Sequence, residues 1–349
     1  MSKPLLRTVE VVRDTHTIVR HLGSGAFGQV YLSRHRYMGL QALKVFALSQ
    51  GCEALEEAYL LAKLSHPNIV RMFEANDFER GGAKYGYFTM EYVDGGTLLD
   101  SIADESLDLT SRIDLGRGIV AGLAHAHSQD PPVIHRDISP SNVLLNREKG
   151  QMTAKISDFG LAKHVDNASL LASSAGKYVY MAPESFLGIH APATDVYATA
   201  VVLFELFTGR HPFEFTLTAQ ATSKEIAEVV KRSRSQSIPA ASAINPKLHK
   251  GWDTFFRDSL VHDYEQRPKD GTSLLAMFDR CAHPTLSSVA AATQDSDAKD
   301  MVKRAQALSQ QTETMDAAIG LLQSACEIDR DIRERYADLL SLWKRGIVL

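Results

Sequence analysis

Cysteine, long apolar runs and a leader-like start are all scarce or missing in this sequence of 349 residues. Its cysteines, Cys52, Cys281 and Cys326, are too few and too scattered for a disulfide framework or a zinc site, which favours a reducing compartment. The longest apolar run, residues 196–207, contains a threonine and a glutamate and is too short to span a bilayer. The first residues lack a signal-peptide core. We therefore expect a cytoplasmic protein.

The sequence also lacks an excess of charge of either sign. The net charge is −4 and the isoelectric point is near 6.4. There is accordingly no basic footprint for nucleic acid and no polybasic patch for a membrane surface. We expect neither nucleic acid nor a membrane as a partner.

What the sequence does contain is an ordered change of periodicity. Residues 17–46 alternate apolar and polar side chains between glycines, which predicts a twisted antiparallel sheet. A helical stripe follows at residues 53–64, and two further strands are predicted at residues 69–74 and 85–92. These segments together predict a small lobe built on a sheet.

The remainder of the chain is predicted to be mostly helical. Helices are expected at residues 98–104, 110–128 and 195–208. The last of these is apolar on nearly every side and is followed by Gly209, which predicts a buried helix with a glycine stop. It is the expected centre of a large lobe.

The segment of residues 135–142, followed by Asp158-Phe159-Gly160, places two carboxylates and an amide at the spacing that phosphoryl transfer needs. Asp137 can orient a hydroxyl, while Asn142 and Asp158 can hold Mg²⁺. The intervening amide and the Phe-Gly pair favour a metal–nucleotide site over the paired carboxylates of a glycoside hydrolase.

Other motifs stand on both sides of this segment in a fixed order. Upstream lies Gly23-Ser24-Gly25-Ala26-Phe27-Gly28, and a strand continues directly after it, which favours a kinase nucleotide loop over a dinucleotide fold. Ala42-Leu43-Lys44 follows, and Ala182-Pro183-Glu184 lies downstream. In this order the motifs resemble the protein kinase family over residues 17–280.

The resemblance implies an α+β, bilobal protein kinase fold with a small antiparallel-sheet lobe, a large helical lobe and additional C-terminal helices. It implies ATP and Mg²⁺ (or Mn²⁺) as cofactors and a protein substrate. The residues implied in catalysis are Asp137 as the base, Lys44 on the phosphates and Glu57 holding Lys44, with Asn142 and Asp158 on the metal. Those implied in nucleotide binding are Gly23, Ser24, Gly25, Gly28, Val30, Ala42, Lys44, Met90, Glu91, Val93 and Leu144.

The resemblance also implies structural contacts. Glu184 is expected to pair with Arg267. Asp195 is expected to anchor the backbone of residues 135–142, the catalytic loop. A stack that couples the helix of the small lobe to the Asp158 loop is expected from Leu61, Met72, His135 and Phe159.

One position departs from the family pattern. Ser139 stands where the family has a lysine that touches the γ-phosphate, and Lys177 stands where the family has a threonine that bonds to this lysine. We expect that hydroxyl and ammonium have exchanged places, so that Lys177 supplies the cation and Ser139 the hydroxyl. A solvent-facing Lys177 in a weakened kinase is the alternative.

Three functions are compatible with these residues. The leading one is an active kinase for protein Ser and Thr hydroxyls, because Pro140 is typical of that specificity. A nucleotide-binding pseudokinase or scaffold that acts through its tail is favoured by Ser139 alone. A small-molecule kinase is disfavoured, because Glu184 and Arg267 resemble parts of a peptide-binding lobe.

The predicted domains are an N-terminal segment (1–16), a protein kinase domain (17–284), a linker (285–297) and a helical tail (298–349). The linker is inferred from a shift to Ser, Ala, Thr and Asp. The tail resembles parts of two tetratricopeptide repeats. Fewer than two repeats are not expected to bury their own apolar face, so the tail is expected to cap the large lobe, self-associate or bind a partner protein.

Overall fold

The computed structural model describes most of the chain, and within it two compact units, Met1–Asp279 and Arg280–Leu349. The described residues are 4–25, 28–47, 64–102, 107–148, 150–159, 175–215, 222–234, 236–282, 301–303, 305–306, 308–309, 315–328 and 330–344. The predicted helix at 53–64, apart from its last residue, lies outside them, as do Cys52 and the predicted linker. No helix of the described residues combines the length and the apolar character needed to cross a membrane.

The small lobe is a six-stranded antiparallel sheet in the order β1-β2-β3-β4-β6-β5, as the alternation of residues predicted. Its apolar face buries Ile18, Tyr31, Leu43, Val45 and Tyr87. The strands are β1 Val11–Val12, β2 His16–Gly25, β3 Gly28–His35, β4 Gly39–Ala47, β5 Met72–Arg80 and β6 Ala83–Glu91.

Two parts of this sheet differ from the sequence-based prediction. Residues 4–15, which were expected to precede the domain, contribute strand β1, and Leu6 and Val12 are buried in the same apolar cluster. Strand β5 extends to Arg80, whereas the prediction placed a strand at 69–74. It is an edge strand whose side chains are mainly polar and only partly buried, so apolar alternation does not mark it.

The large lobe is helical with one short β-hairpin. Its central helix, α3, begins at Pro192, is buried at every residue from Ala193 to Phe204, and ends at Gly209 with φ 70°. The elements are α1 Leu98–Ser101, α2 Leu109–His127, the hairpin β7 Val143–Glu148 and β8 Gln151–Ile156, α3 Pro192–Thr208, α4 Ser223–Ser233, α5 Ala241–Ile244, α6 Gly251–Ser259 and α7 Gly271–Ala282. The α+β architecture predicted from the sequence is confirmed.

The C-terminal unit contains α8 (Met315–Ile328) and α9 (Arg330–Lys344). It has an apolar cluster made entirely of tail residues: Val302, Ala305, Ala318, Leu322, Ala325, Cys326, Ile332 and Trp343. The expectation that the tail cannot bury an apolar face by itself therefore differs from what the structure shows. The likeness to tetratricopeptide repeats stays a prediction.

Candidate active site

The glycine-rich segment forms the tip of the β2–β3 hairpin. Gly25 pairs with Gly28, and the two residues between them lie outside the described part of the chain. Gly28 has φ 115°, and a Cβ at this position would overlap the Val45 carbonyl oxygen, so the strand path requires glycine here. A Cβ added at Gly23 or Gly25 meets no atom within 4 Å in the structure. The space next to these two residues can therefore admit a ligand.

Lys44 lies on β4 and reaches into the cleft from the sheet. Its Nζ lies 2.8 Å from Oδ1 of Asp158, and the Lys44 side chain is only 5% exposed. Asp158 adopts φ 60°, a left-handed conformation that is uncommon for a residue with a side chain and costs backbone strain. Lys44 and Asp158, which were predicted separately as site residues, thus lie in contact. Glu57, the predicted partner of Lys44, lies outside the described residues.

The catalytic loop is anchored on a buried carboxylate, as predicted for Asp195. The His135 amide donates to Asp195 Oδ2 over 2.6 Å and the Arg136 amide donates to Oδ1 over 2.9 Å. His127 Nε2 donates to the same carboxylate over 3.1 Å, because its Nδ1 already accepts the Gly271 amide. Burial would raise the pKa of Asp195, but hydrogen bonds from His127 and His135 lower it.

Within the loop, Asn142 fixes Asp137. The Asn142 side-chain Nδ2 donates to the Asp137 carbonyl oxygen over 2.7 Å and to its Oδ2 over 2.9 Å. The Asp137 amide donates to His135 Nδ1 over 3.2 Å, so the His135 ring carries its proton on Nε2 and donates to the Ser157 carbonyl over 2.7 Å. The loop is in this way tied to the residue that precedes Asp158.

The back of the cleft is apolar. A cavity there is lined by Leu64, Ile69, Val70, Met72, Phe88, Met90, Ile156, Asp158 and Phe159. The rings of His135 and Phe159 contact edge to face at 4.6 Å between centroids. Three members of the predicted stack therefore lie together: Met72 and Phe159 line the same cavity, and His135 packs against Phe159. The fourth, Leu61, lies outside the described residues.

The residues implied in adenine binding lie on strands β3, β4, β6 and β7 and in the segment directly after β6. Ala42 on β4 is the register partner of Met90 on β6, and Leu144 is the second residue of β7 and forms an antiparallel bridge with Thr97. Glu91 has its side chain bound to Lys155 at 3.0 Å. Val30 and Val93 complete the set, Val30 on β3 and Val93 buried after β6.

The exchange of Ser139 and Lys177 stays a prediction. Ser139 is buried, and its Oγ lies 3.0 Å from the Oγ of Ser141. Lys177 lies in the 3-10 helix Ala175–Tyr180, and its side chain lies outside the described part of the structure.

Residues 179–184 are held in place by hydrogen bonds from side chains of the large lobe. Arg267 Nη1 and Nη2 donate to both Glu184 oxygens at 2.8 and 2.9 Å, which confirms the predicted pair. The Val179 carbonyl accepts hydrogen bonds from His211 Nε2, over 2.8 Å, and from Arg234 Nη2. Burial, followed by the charge of Arg234, lowers the pKa of His211 to about 4.

Sequence reasoning missed this support. Tyr180 donates its hydroxyl proton to Glu205 Oε2 over 2.7 Å, and burial raises the pKa of Glu205. A signal was present in the sequence, because Glu205 is the only charged residue in the apolar run 196–207 and a buried carboxylate requires a partner. For His211 and Arg234 the sequence contains no comparable signal.

Comparison with known proteins finds a family model and related sequences that match this chain. The family model described as protein kinase domain matches residues 16–331. A probable serine/threonine-protein kinase PknB of Lactococcus lactis is 29% identical over 278 residues, which cover 76% of this chain and 42% of the relative. The human serine/threonine-protein kinase Nek5 is 30% identical over 276 residues, 76% of this chain and 36% of the relative. The chain thus spans less than half the length of these two relatives.

Proposed function

The chain belongs to the protein kinase family, and from this premise we propose that it transfers the γ-phosphate of ATP to Ser or Thr hydroxyls of a protein substrate. The observation that supports the proposal is that the cleft brings together two pairs of predicted site residues. Asn142 holds Asp137 at 2.9 Å on the loop, and Lys44 meets Asp158 at 2.8 Å across the cleft. The names of the relatives support Ser/Thr specificity.

The residues present fit a divalent metal. Asn142 uses its amide nitrogen on Asp137, so its amide oxygen is the atom that can face a cation, and Asp158 offers a carboxylate. Oxygen ligands of this kind suit Mg²⁺ or Mn²⁺. We propose that Asn142 and Asp158 hold the metal, which when bound neutralises negative charge on the phosphates.

Asp137 is proposed as the base that accepts the proton of the substrate hydroxyl. The hydrogen bond from the Asp137 backbone amide to His135 Nδ1 and the hydrogen bond from Asn142 Nδ2 to Asp137 Oδ2 orient the carboxylate before the substrate binds. Lys44 is proposed to bind the α and β phosphates through its ammonium, with Glu57, which lies outside the described residues, as its predicted partner.

The nucleotide is proposed to lie between the two lobes. Backbone amides of the hairpin, at Gly23, Ser24, Gly25 and Gly28, would face the phosphates, where the open space next to Gly23 and Gly25 admits them. Val30, Ala42 and Leu144 would enclose the adenine ring, and the Glu91 carbonyl and Val93 amide would bond its edge beside Met90.

The test compares two variants of the site with a matched variant elsewhere. Asp137→Asn should lower the rate of transfer from labelled ATP by about 100- to 10,000-fold with little change in Mg-ATP affinity, because it removes the base alone. Asp158→Ala should lower transfer at least as much and should also remove the metal dependence of nucleotide binding. Asp279→Asn, at an exposed pair with Arg117, should change neither.

The outcomes separate the proposed function from its alternative. Near-normal transfer by Asp158→Ala would contradict the metal assignment. An unaltered chain that binds Mg-ATP but transfers no phosphate to itself or to a protein would instead be a nucleotide-binding pseudokinase.

The tail, residues 298–349, is proposed to bind a protein partner or a second copy of the chain. Its described large apolar side chains are buried or half-buried, so a partner would meet mainly polar groups of α8 and α9. Sedimentation of the full chain over a range of concentrations, and of a chain that ends at residue 284, measures the self-association. If the full chain keeps the mass of a monomer at every concentration, self-association is excluded.

A further inference from the structure

Residues 4–12 cross the outer surface of the small-lobe sheet, and we name them the N-terminal strap. The strap is held along its length by the sheet. Leu6 is 2% exposed within the apolar cluster of the lobe. The Val9 amide donates to the Ile18 carbonyl over 2.8 Å, and the Ile18 amide donates to the Glu10 carbonyl over 2.8 Å. The strap is consequently a fixed part of the lobe.

The start of the strap contacts strand β3 of the glycine-rich hairpin at the side chains of Gln29 and Tyr31. The Leu5 amide donates to Gln29 Oε1 over 2.7 Å, and the Tyr31 hydroxyl donates to the same oxygen. The Leu6 amide in turn donates to the Tyr31 hydroxyl over 3.0 Å. A backbone amide can only donate, so the Gln29 atom that faces Leu5 must be its amide oxygen. Gln29 thereby joins the strap to strand β3.

Gln29 occupies a sensitive position in the hairpin. It follows Gly28 directly and pairs with Ser24 across the hairpin and with Val45 on β4. Successive side chains of a strand point to opposite faces, so Gln29 lies on the face away from Val30, which we assign to adenine. Gln29 therefore lies on the face of the hairpin opposite the one assigned to adenine.

We propose that Gln29 is a positioning residue through which the N-terminal strap holds the glycine-rich hairpin in its nucleotide-binding position. The inference rests on the proposed function, because it presumes that this hairpin covers the phosphates of ATP. The described residues leave open space next to Gly23 and Gly25, where an added Cβ would meet no atom within 4 Å. A hairpin ordered in advance by the strap loses less conformational entropy when ATP binds, which raises affinity.

The experiment measures Mg-ATP affinity directly, by calorimetric titration of the full chain, beside kcat and the KM for ATP. Gln29→Leu removes the acceptor at similar size, and Tyr31→Phe removes the hydroxyl that links Leu6 to Gln29. Each should raise the Kd and the KM for ATP by about 3- to 10-fold, the range of one or two hydrogen bonds, with little change in kcat. Hydrogen exchange should speed up at the backbone amides of residues 23–29.

Two further variants serve as controls. Gln29→Glu keeps an acceptor oxygen for Leu5 and Tyr31 and should keep most of the affinity. Tyr87→Phe removes a buried hydroxyl of the same sheet that donates to Glu74 over 2.8 Å, and it should leave the Kd unchanged. Unchanged affinity in Gln29→Leu and Tyr31→Phe, or an equal loss in Tyr87→Phe, would overturn the inference. If the unaltered chain transfers no phosphate, the proposed function fails while the titration still decides the role of the strap.

Discussion

The catalytic loop and the glycine-rich hairpin face the same cleft but are held in opposite ways. The loop is bonded through His135 and Arg136 to Asp195, which is 1% exposed inside the large lobe. Among the described residues, the hairpin has open space next to Gly23 and Gly25, and the strap contacts it through Gln29 and Tyr31. The loop proposed to carry out the chemistry is thus hydrogen-bonded to a buried carboxylate of the large lobe. The hairpin proposed to cover the nucleotide has fewer contacts of this kind among the described residues.

This difference follows from what each part is proposed to do. A base must be held within a fraction of an ångström of the hydroxyl it serves, which a network of buried hydrogen bonds can provide. A loop that admits and releases a nucleotide must open, so it belongs to the less stable part of the structure.

The strongest test of the rigid side is Asp195→Asn. The amide group offers a donor where three donors already converge, so at least one buried hydrogen bond is lost. We expect a loss of unfolding free energy on the order of 3 kcal/mol and a fall in kcat of about 100-fold from a displaced loop. Urea unfolding and transfer assays measure these. Asp279→Asn is the exposed control, with an expected change of about 0.5 kcal/mol or less. Equal losses in both variants would mean that the anchor is unimportant.

Lys177→Ala tests the missing cation of the catalytic loop. The family has a lysine at the position of Ser139. If Lys177 contacts the γ-phosphate in place of that lysine, Lys177→Ala should lower kcat by about 100-fold with little change in ATP affinity or stability. The double variant Ser139→Lys with Lys177→Thr should recover much of the activity. Full activity of Lys177→Ala at saturating Mg-ATP would leave Lys177 as an ordinary surface residue and the loop without this cation.

The sequence predicted the elements and contacts that rest on local pattern or on motif spacing. The buried helix that ends at Gly209, the antiparallel sheet and the pair of Glu184 and Arg267 are all found as expected. The additional strand from residues 4–15 was missed, because β1 is two residues long and too short to show periodicity. The support by His211 and Arg234 was missed because it joins residues 32 and 55 positions away from Val179. Contacts of that kind depend on the folded path of the chain.

The segment before Glu184 extends the comparison to pH. The pKa of His211 is lowered to about 4, so below its ordinary value of 6.5 the unfolded chain binds a proton that the folded chain excludes. Stability should therefore be unaffected by His211 above pH 6.5 and should fall between pH 6.5 and 4, by at most about 1.4 kcal/mol per pH unit. Among the described residues, the titratable groups next to the His211 ring are Arg234 and Tyr180.

Other carboxylates titrate in the same range, so the informative quantity is a difference between variants. His211→Gln can still donate to the Val179 carbonyl but does not titrate. The unfolding free energy of this variant should decline less from pH 7 to 4.5 than that of the unaltered chain. His262→Gln, at an exposed histidine, should follow the unaltered chain. Parallel curves for all three would show that His211 has no role in acid sensitivity.

The smallest expected effect on stability lies at the hairpin tip and tests its light support. Gly25→Ala adds a methyl group that meets no atom within 4 Å, at a residue without a left-handed conformation. Its unfolding free energy should stay constant or rise by up to about 1 kcal/mol, because alanine restricts the unfolded chain. Mg-ATP affinity should nevertheless fall, since the methyl group enters the space proposed for the phosphates. Gly28→Ala is the opposite case, because its Cβ would overlap the Val45 carbonyl, and it should destabilise the fold. A Gly25→Ala chain destabilised as much as Gly28→Ala would mean that the tip is packed as firmly as the catalytic loop, and the contrast between the two regions would be lost.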